Sequence, residues 1–230
     1  MSFDYGNSFA LWREGAGGAG GAWHDYTHHA FVEGLRDGSL PRESFLHYLK
    51  QDYVFLVHFS RAWSLAVVKS ETLEELRACA ATVNALVNFE MGLHVKTCAA
   101  EGITEAELFA AEEFENMAYT RYVIDAGMQG DYLDLMAALA PCVMGYGEIG
   151  LRLGREAVPG TPYQDWIDTY AREEFQQVCA EAGAMIDNAV RRRLGDDPAA
   201  SPRWAVLQQR FTTATELEIG FWSMGLRGPK

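Results

Sequence analysis

Apolar residues recur at helical spacing along nearly all of the 230 residues. The clearest run predicts one long helix from Arg42 to about Lys69, because large apolar side chains return there every three or four positions. Clusters of glycine and proline separate this run from the other helical segments. Those segments are predicted at residues 1–14, 23–33, 71–102, from 104 onward, 112–126, 131–153, 163–194 and 202–225.

Strand-like alternation and internal repeats are both missing from the sequence. We therefore predict an all-α bundle of about eight helices that forms a single domain over residues 1–230. Thr104 is followed three positions later by Glu107, which is the spacing of a helix capping box. That pair predicts the start of a separate helix after Gly102.

Composition restricts the partners and the compartment. The formal net charge of −13 argues against nucleic acid and anionic membranes as partners. No apolar run reaches the roughly 18–20 residues of a membrane span, and the first residues lack a signal-peptide pattern. The four cysteines lie far apart, without a CxxC pair. We expect a cytoplasmic, reduced protein with free thiols.

One cysteine stands in an unusual setting. Pro141 precedes Cys142 directly, and Tyr146 follows one helical turn later. Residues four apart share a helix face, so the thiol and the phenol should point into the same space. A proline inside an apolar helical stretch kinks or restarts the helix and frees backbone groups. This combination favours a reactive site over ordinary core.

Two carboxylates stand beside aromatic residues. Asp52 lies in an apolar helical run, where a carboxylate is costly unless it has a partner. It is either paired with a buried Tyr or His, or it binds an amino-heterocycle, and the residues alone leave both open. Glu218 aligns with Trp222 and could be an acid or base of raised pKa. By composition, a solvated helix face is the favoured interpretation.

Glu90 and His94 are separated by one helical turn. A carboxylate and an imidazole at that spacing can bind iron or manganese in a helical bundle. A di-metal site needs a second such pair, and the sequence supplies none that is clear. A hydrogen-bonded pair in the core is therefore favoured.

Six stretches together resemble the TenA family, also called the thiaminase II or aminopyrimidine aminohydrolase group. The resemblance spans roughly residues 9–226, and Cys142 places the chain with the cysteine-bearing branch. The stretches that carry it are His29–Val32 with Gly38–Pro41, Phe45–Tyr53, Glu90–His94 followed by Gly102 and Ile103, Ala118–Tyr122, Pro141–Gly150 and Glu218–Trp222. The chain departs from the common family pattern at Ala30, Met144 and Leu217, none of which is a presumed catalytic group.

The resemblance implies a heme-oxygenase-like helical bundle that assembles as a homotetramer. It implies hydrolysis of thiamin, or of 4-amino-5-aminomethyl-2-methylpyrimidine, to 4-amino-5-hydroxymethyl-2-methylpyrimidine in thiamin salvage. No metal and no redox cofactor is expected. Cys142 would be the nucleophile and Glu218 the acid/base. The substrate would be bound by Asp52, Phe55, Tyr119, Tyr146 and Tyr170.

Two alternatives remain open. The first is a metal-dependent oxidase on the same fold, with Glu90 and His94 as ligands, which rests on analogy between folds. The second is a non-catalytic pyrimidine-binding or regulatory protein. Retention of both Cys142 and Glu218 weighs against this second alternative, because binding alone needs no nucleophile.

Overall fold

The computed structural model describes residues 4–109 and 112–229, and within them the chain is helical without a β-strand. This confirms the predicted all-α architecture. Two short 3₁₀ turns, Gly18–Gly20 and Pro198–Ala200, and one π-helical turn, Leu86–Glu90, accompany the α-helices. The α-helices of the described residues are α1 (Asn7–Gly15), α2 (Ala22–Thr27), α3 (Ala30–Asp37), α4 (Arg42–Lys69), α5 (Leu73–Ala85), α6 (Met91–Ala100), α7 (Glu105–Leu108), α8 (Phe114–Gln129), α9 (Tyr132–Glu156), α10 (Gln164–Ala171), α11 (Glu173–Leu194) and α12 (Pro202–Arg227).

The three longest helices, α4, α9 and α12, form the centre of the bundle. α12 packs on α9, α8, α4 and α2, while α9 also packs on α10, α8 and α11. Aromatic rings fill the contacts between them. Trp222 of α12 stacks on Phe31 of α3 with 4.9 Å between ring centroids, and both side chains are fully buried. Burial of such large rings is a main source of stabilisation in a core of this kind.

The predicted long helix at 42–69 is confirmed, but three other segments are divided. His29 ends the segment that starts at residue 23, because its Nδ1 accepts a hydrogen bond from the Phe31 amide and caps α3. The π-helical turn separates α5 from α6 within the predicted helix 71–102. Arg172 divides the segment 163–194, because its backbone is extended. These breaks explain why the helices outnumber the predicted eight. Residues 1–3 of the predicted N-terminal segment lie outside the described residues.

The middle of α9 is built for close approach by its neighbours. The helix continues through Pro141 and does not restart there. A Cβ atom at Gly145 would lie 2.2 Å from the Tyr26 ring, and one at Gly150 would lie 2.4 Å from the Tyr170 carbonyl. The glycines therefore allow α2 and α10 to pack directly against this segment.

Buried ion pairs link the helices away from this segment. Glu75 of α5 is 2% exposed and accepts hydrogen bonds of 2.7 and 3.1 Å from Arg193 of α11. Asp134 of α9 is 1% exposed and accepts hydrogen bonds from Arg203 and Arg210 of α12. Burial alone would raise the pKa of each carboxylate, but the arginines hold both values below the ordinary range. We call these contacts the structural ion pairs.

Candidate active site

Three helices bring a thiol, a carboxyl group and a phenol into contact. Cys142 of α9 is half-buried, and its thiol hydrogen-bonds to Glu218 of α12, which is 1% exposed. Tyr119 of α8 donates a second hydrogen bond to Glu218, with 2.9 Å between Oη and Oε1. Tyr26 of α2 is a further hydrogen-bond partner of this carboxyl group. A nucleophile and an acid/base group thus lie side by side.

Burial sets the protonation of this pair. It raises the pKa of Glu218 to about 8, and the hydrogen bond from Tyr119 opposes that effect. Burial, followed by the negative charge of Glu218, also raises the pKa of Cys142 well above its ordinary value. At neutral pH the ligand-free pair therefore holds both protons. A reactive thiolate requires a base beside the sulfur, and Glu218 can be that base once it has released its own proton.

A second carboxyl group lies in the same interior. Asp52 of α4 is 7% exposed, and burial raises its pKa to about 7 against the effect of a hydrogen bond from Tyr48. His94 of α6 donates from Nε2 to the Leu49 carbonyl at 2.7 Å, so the proton of the neutral ring is on Nε2. Its Nδ1 faces Asp52 Oδ2 at 3.6 Å. Among the described residues, no lysine or arginine forms an ion pair with Asp52.

Aromatic side chains surround the space between these carboxyl groups. Phe55 of α4 lies against Tyr119 with 5.3 Å between ring centroids. Tyr146 of α9 meets Tyr170 of α10 edge to face at 4.9 Å, and Trp166 lies 4.6 Å from Tyr170. The charges of Asp52 and Glu218 both act on the Tyr146 hydroxyl. The interior therefore presents aromatic faces together with carboxyl and hydroxyl groups, the combination that suits a flat ring whose edges carry hydrogen-bonding groups.

The predicted site residues are all found around this interior. Asp52 has the Tyr and His partners that one of its two interpretations required, namely Tyr48 and His94. It also lies where it could contact a ligand, so the second interpretation stays open. The remaining three cysteines are fully buried and free, as predicted. The predicted residues that the structure brings together are Cys142, Glu218, Asp52, Phe55, Tyr119, Tyr146 and Tyr170.

Two interpretations made from composition and spacing are wrong. Glu218 does not lie on a solvated face, because α12 is surrounded by α9, α8, α4 and α2. Glu90 and His94 do not form the expected hydrogen-bonded pair. The two nitrogens of His94 are turned instead toward Leu49 and Asp52 of α4.

Three aromatic residues of the site were not predicted from the sequence. Tyr48 accepts a hydrogen bond from Trp166 Nε1 at 3.4 Å, and its hydroxyl lies 3.4 Å from that of Tyr146. Both could have been found by helical spacing, because Tyr48 precedes Asp52 by one turn and Trp166 precedes Tyr170 by one turn. Tyr26 had no such local signal, because it comes from a short, separate helix.

Within residues 4–109 and 112–229, no three His, Cys, Asp or Glu side chains are grouped so that they could hold a metal ion. The oxidase alternative, with Glu90 and His94 as ligands, gains no support from this part of the chain. In the same residues, every helix is too short or too polar to cross a membrane.

Comparison with known proteins identifies the family. Residues 19–228 match the TENA/THI-4/PQQC family. The chain belongs to this family. A family member from Haemophilus influenzae, named an uncharacterized protein, is 42% identical over 207 residues, which are 89% of this chain and 93% of that protein. An aminopyrimidine aminohydrolase from Halalkalibacterium halodurans is 33% identical over 207 residues, which are 88% and 89% of the two chains.

Solved structures of the family share the fold. The crystal structure of a TenA family transcription regulator from Silicibacter sp. TM1040 superposes with a TM-score of 0.93 at 61% sequence identity. The match covers 96% of this chain and 97% of that protein. The resemblance stated from the sequence motifs is thereby confirmed, and so is the helical fold that it implied.

Proposed function

We propose that the protein is an aminopyrimidine aminohydrolase of the thiaminase II type that acts in thiamin salvage. It would convert thiamin or 4-amino-5-aminomethyl-2-methylpyrimidine to 4-amino-5-hydroxymethyl-2-methylpyrimidine. The observation that carries the proposal is the contact between Cys142 and Glu218 in an aromatic interior that also holds Asp52. The similarity to the aminopyrimidine aminohydrolase from H. halodurans supports it.

Substrate binding follows from the side chains of the interior. The Asp52 carboxylate accepts hydrogen bonds from the 4-amino group of the pyrimidine. Phe55, Tyr119 and Tyr146 enclose the ring and hold it against the thiol. With these groups fixed, the C6 atom of the ring faces Cys142.

The first chemical step is addition of sulfur to the ring. The neutral Glu218 carboxyl donates its proton to ring N1, and the carboxylate so formed takes the proton of the Cys142 thiol. The thiolate forms a bond to C6, and the electron pair of the N1–C6 double bond remains on the protonated N1. This order suits a Glu218 whose pKa is raised to about 8, because the group begins the cycle protonated at neutral pH.

Loss of aromaticity allows the leaving group to depart. The lone pair of the 4-amino group forms a double bond to C4, and the electron pair of the C4–C5 double bond moves to form an exocyclic double bond between C5 and its methylene. The leaving group departs with the bonding pair, as ammonia or as the neutral thiazole. Asp52 stabilises the positive charge that develops on the 4-amino nitrogen.

Water then completes the exchange. Its oxygen bonds to the methylene carbon, and its proton passes to the departed amine or to solvent. The electron pairs of the exocyclic double bond and of the C4–N double bond return to the C4–C5 bond and to the amino nitrogen. The C6–S bond breaks as the lone pair on N1 re-forms the N1–C6 double bond. Glu218 returns the thiol proton to the sulfur of Cys142, and the carboxylate so formed takes the proton from N1. Covalent catalysis in this way divides one difficult displacement into several easier steps.

Mass spectrometry of reactions with each substrate, with a chelator present, tests the proposal. Wild-type protein and Cys142→Ser should be run side by side. Hydroxymethylpyrimidine from the wild type and not from the variant supports a cysteine-dependent hydrolase. Wild-type protein that leaves both substrates unchanged would overturn it.

A regulatory protein that binds a pyrimidine without converting it is the second candidate. The related structure at 61% identity is that of a protein named a TenA family transcription regulator, which favours this alternative. The net charge of −13 opposes direct contact with nucleic acid. Recovery of unchanged aminomethylpyrimidine from a stoichiometric complex would decide for this candidate.

A further inference from the structure

One carboxylate at the site has no role in the mechanism above. Glu90 is the last residue of the π-helical turn and is half-buried. Within the described residues it forms neither a hydrogen bond nor an ion pair. π-Helical turns are frequent at functional sites, because the extra residue changes the direction of the side chains around it.

Glu90 lies on a segment that packs against the helix carrying Asp52. The π-helical turn and α6 both pack on α4, the helix that carries Asp52. His94, one turn after Glu90, lies 3.6 Å from Asp52. The charge of Glu90 acts on Asp52, Cys142 and Tyr170, which belong to three different helices. Glu90 is less buried than Asp52 and Glu218, and its exposure is of the same class as that of Cys142.

The charged groups near Glu90 leave its carboxylate open to a ligand. Arg172, the exposed residue between α10 and α11, acts on it electrostatically but forms no ion pair with it. His94 uses its nitrogens on Leu49 and Asp52. Burial, followed by the charge of Asp52, raises the pKa of Glu90 to about 7. A cation bound there would hold the carboxylate ionised.

We propose that Glu90 binds the positively charged leaving group of the substrate and so distinguishes substrate from product. This inference rests on the proposed function. The C6 atom that Cys142 attacks is adjacent to the C5 atom that carries the methylene, so the leaving group must lie near the sulfur. That is the region on which the charge of Glu90 acts.

Substrate and product differ in charge at the carbon that the reaction changes. Aminomethylpyrimidine carries an ammonium group at neutral pH and thiamin carries a thiazolium, whereas hydroxymethylpyrimidine has a neutral substituent at the same carbon. A carboxylate at this position strengthens binding of either substrate and contributes little to binding of the product. Product release is therefore favoured without loss of substrate affinity.

Calorimetric binding in the Cys142→Ser background tests the proposal, because no turnover is then needed. Glu90→Gln should raise the Kd of aminomethylpyrimidine about tenfold, as expected for loss of a hydrogen bond to a charged group. The Kd of hydroxymethylpyrimidine should change less than twofold. Glu90→Asp keeps the charge and should restore most of the preference.

Glu74→Gln is the matched control, because it removes one negative charge from an exposed position on α5. It should leave both dissociation constants unchanged. An equal loss of affinity for both pyrimidines in Glu90→Gln, or no loss for either, would overturn the role of Glu90. Failure of the proposed function would appear separately, as binding of both ligands by a wild-type protein that hydrolyses neither substrate.

Discussion

Buried carboxylates in two regions of this molecule have opposite protonation behaviour. In the structural ion pairs, Glu75 and Asp134 are bonded to arginines and their pKa values are lowered. In the candidate site, Asp52 and Glu218 are also buried but are bonded to phenols, and burial raises their pKa values to about 7 and 8. The arginines outweigh the effect of burial in the first region, and the hydrogen bonds from phenols do not outweigh it in the second.

The difference in pKa means that one set of carboxylates stabilises the fold and the other can take part in proton transfer. A carboxylate held by arginine stays ionised at every physiological pH, so it can join helices but cannot donate a proton. A carboxyl group bonded to phenols changes its protonation near neutral pH and can pass a proton in either direction. Four substitutions test this contrast.

Cys142→Ser should have the largest effect, because it removes the thiol partner of Glu218 and leaves the structural ion pairs intact. We expect kcat to fall by at least about a thousandfold, since serine is a far weaker nucleophile at this position. Circular dichroism should show an unchanged fold. Cys79→Ser, at a buried cysteine of α5, is the control and should keep its kcat. Near-normal activity of Cys142→Ser would exclude the covalent mechanism.

Glu218→Gln should lower kcat by about 10²–10⁴-fold, the usual contribution of a general acid–base group. It should also stabilise the protein at alkaline pH. The pKa of Glu218 rises from 4.5 to about 8 on folding, so its contribution to stability is full below pH 4.5 and is lost as the pH rises through 8.

Glutamine does not titrate, so the variant avoids that alkaline loss. Each unit of pKa corresponds to about 1.4 kcal/mol, and the gain at pH 9 should therefore reach a few kcal/mol. Urea denaturation at pH 5 and pH 9 measures it. A variant that is less stable than wild type at pH 9 would show that the buried carboxylate has a stabilising partner.

Glu75→Gln should destabilise the protein by about 3 kcal/mol at pH 7, because the largely buried Arg193 loses its buried charged partner and keeps only the exposed Glu71. The lowered pKa of Glu75 means that its contribution is present above the unfolded value and is lost as the pH falls through the folded value. The variant should therefore differ from wild type less in acid. Activity per folded molecule should be unchanged, and a selective fall in kcat would contradict the division between the two regions.

Asp52→Asn should have the smallest of the four effects. We expect the Kd of aminomethylpyrimidine to rise about 10- to 100-fold, because a hydrogen bond to a charged group contributes roughly 1.5–3 kcal/mol. Calorimetry in the Cys142→Ser background measures it. Binding as tight as that of the parent would show that the amino group of the ligand does not meet Asp52.

Local spacing predicted the fold and part of the site. The apolar repeat from Arg42 to Lys69 determined the limits of α4, and the spacing of Thr104 and Glu107 predicted a capping box that the structure contains. Divisions at the π-helical turn and at Arg172 were missed, because neither contains a proline or a glycine run. The spacing of apolar residues cannot reveal a change of helix type that is limited to one turn.

The candidate site needed information that spacing cannot supply. Glu218 is buried because four helices from distant parts of the chain surround α12, and composition gave no sign of this. Its assignment came from the family resemblance. The contacts of His94 with Leu49 and Asp52 likewise depend on the packing of α6 against α4, which is a tertiary property.

The π-helical turn between α5 and α6 contains one more residue than an α-helical turn requires. The turn absorbs this residue locally, so α6 keeps the register that directs His94 toward Leu49 and Asp52. Deletion of one residue there would restore regular hydrogen bonding and redirect the side chains within residues 86–90, Glu90 among them, while His94 keeps its face. A change in chain length of one residue, far from Cys142 in the sequence, can therefore alter one edge of the site while every side chain that performs chemistry is retained.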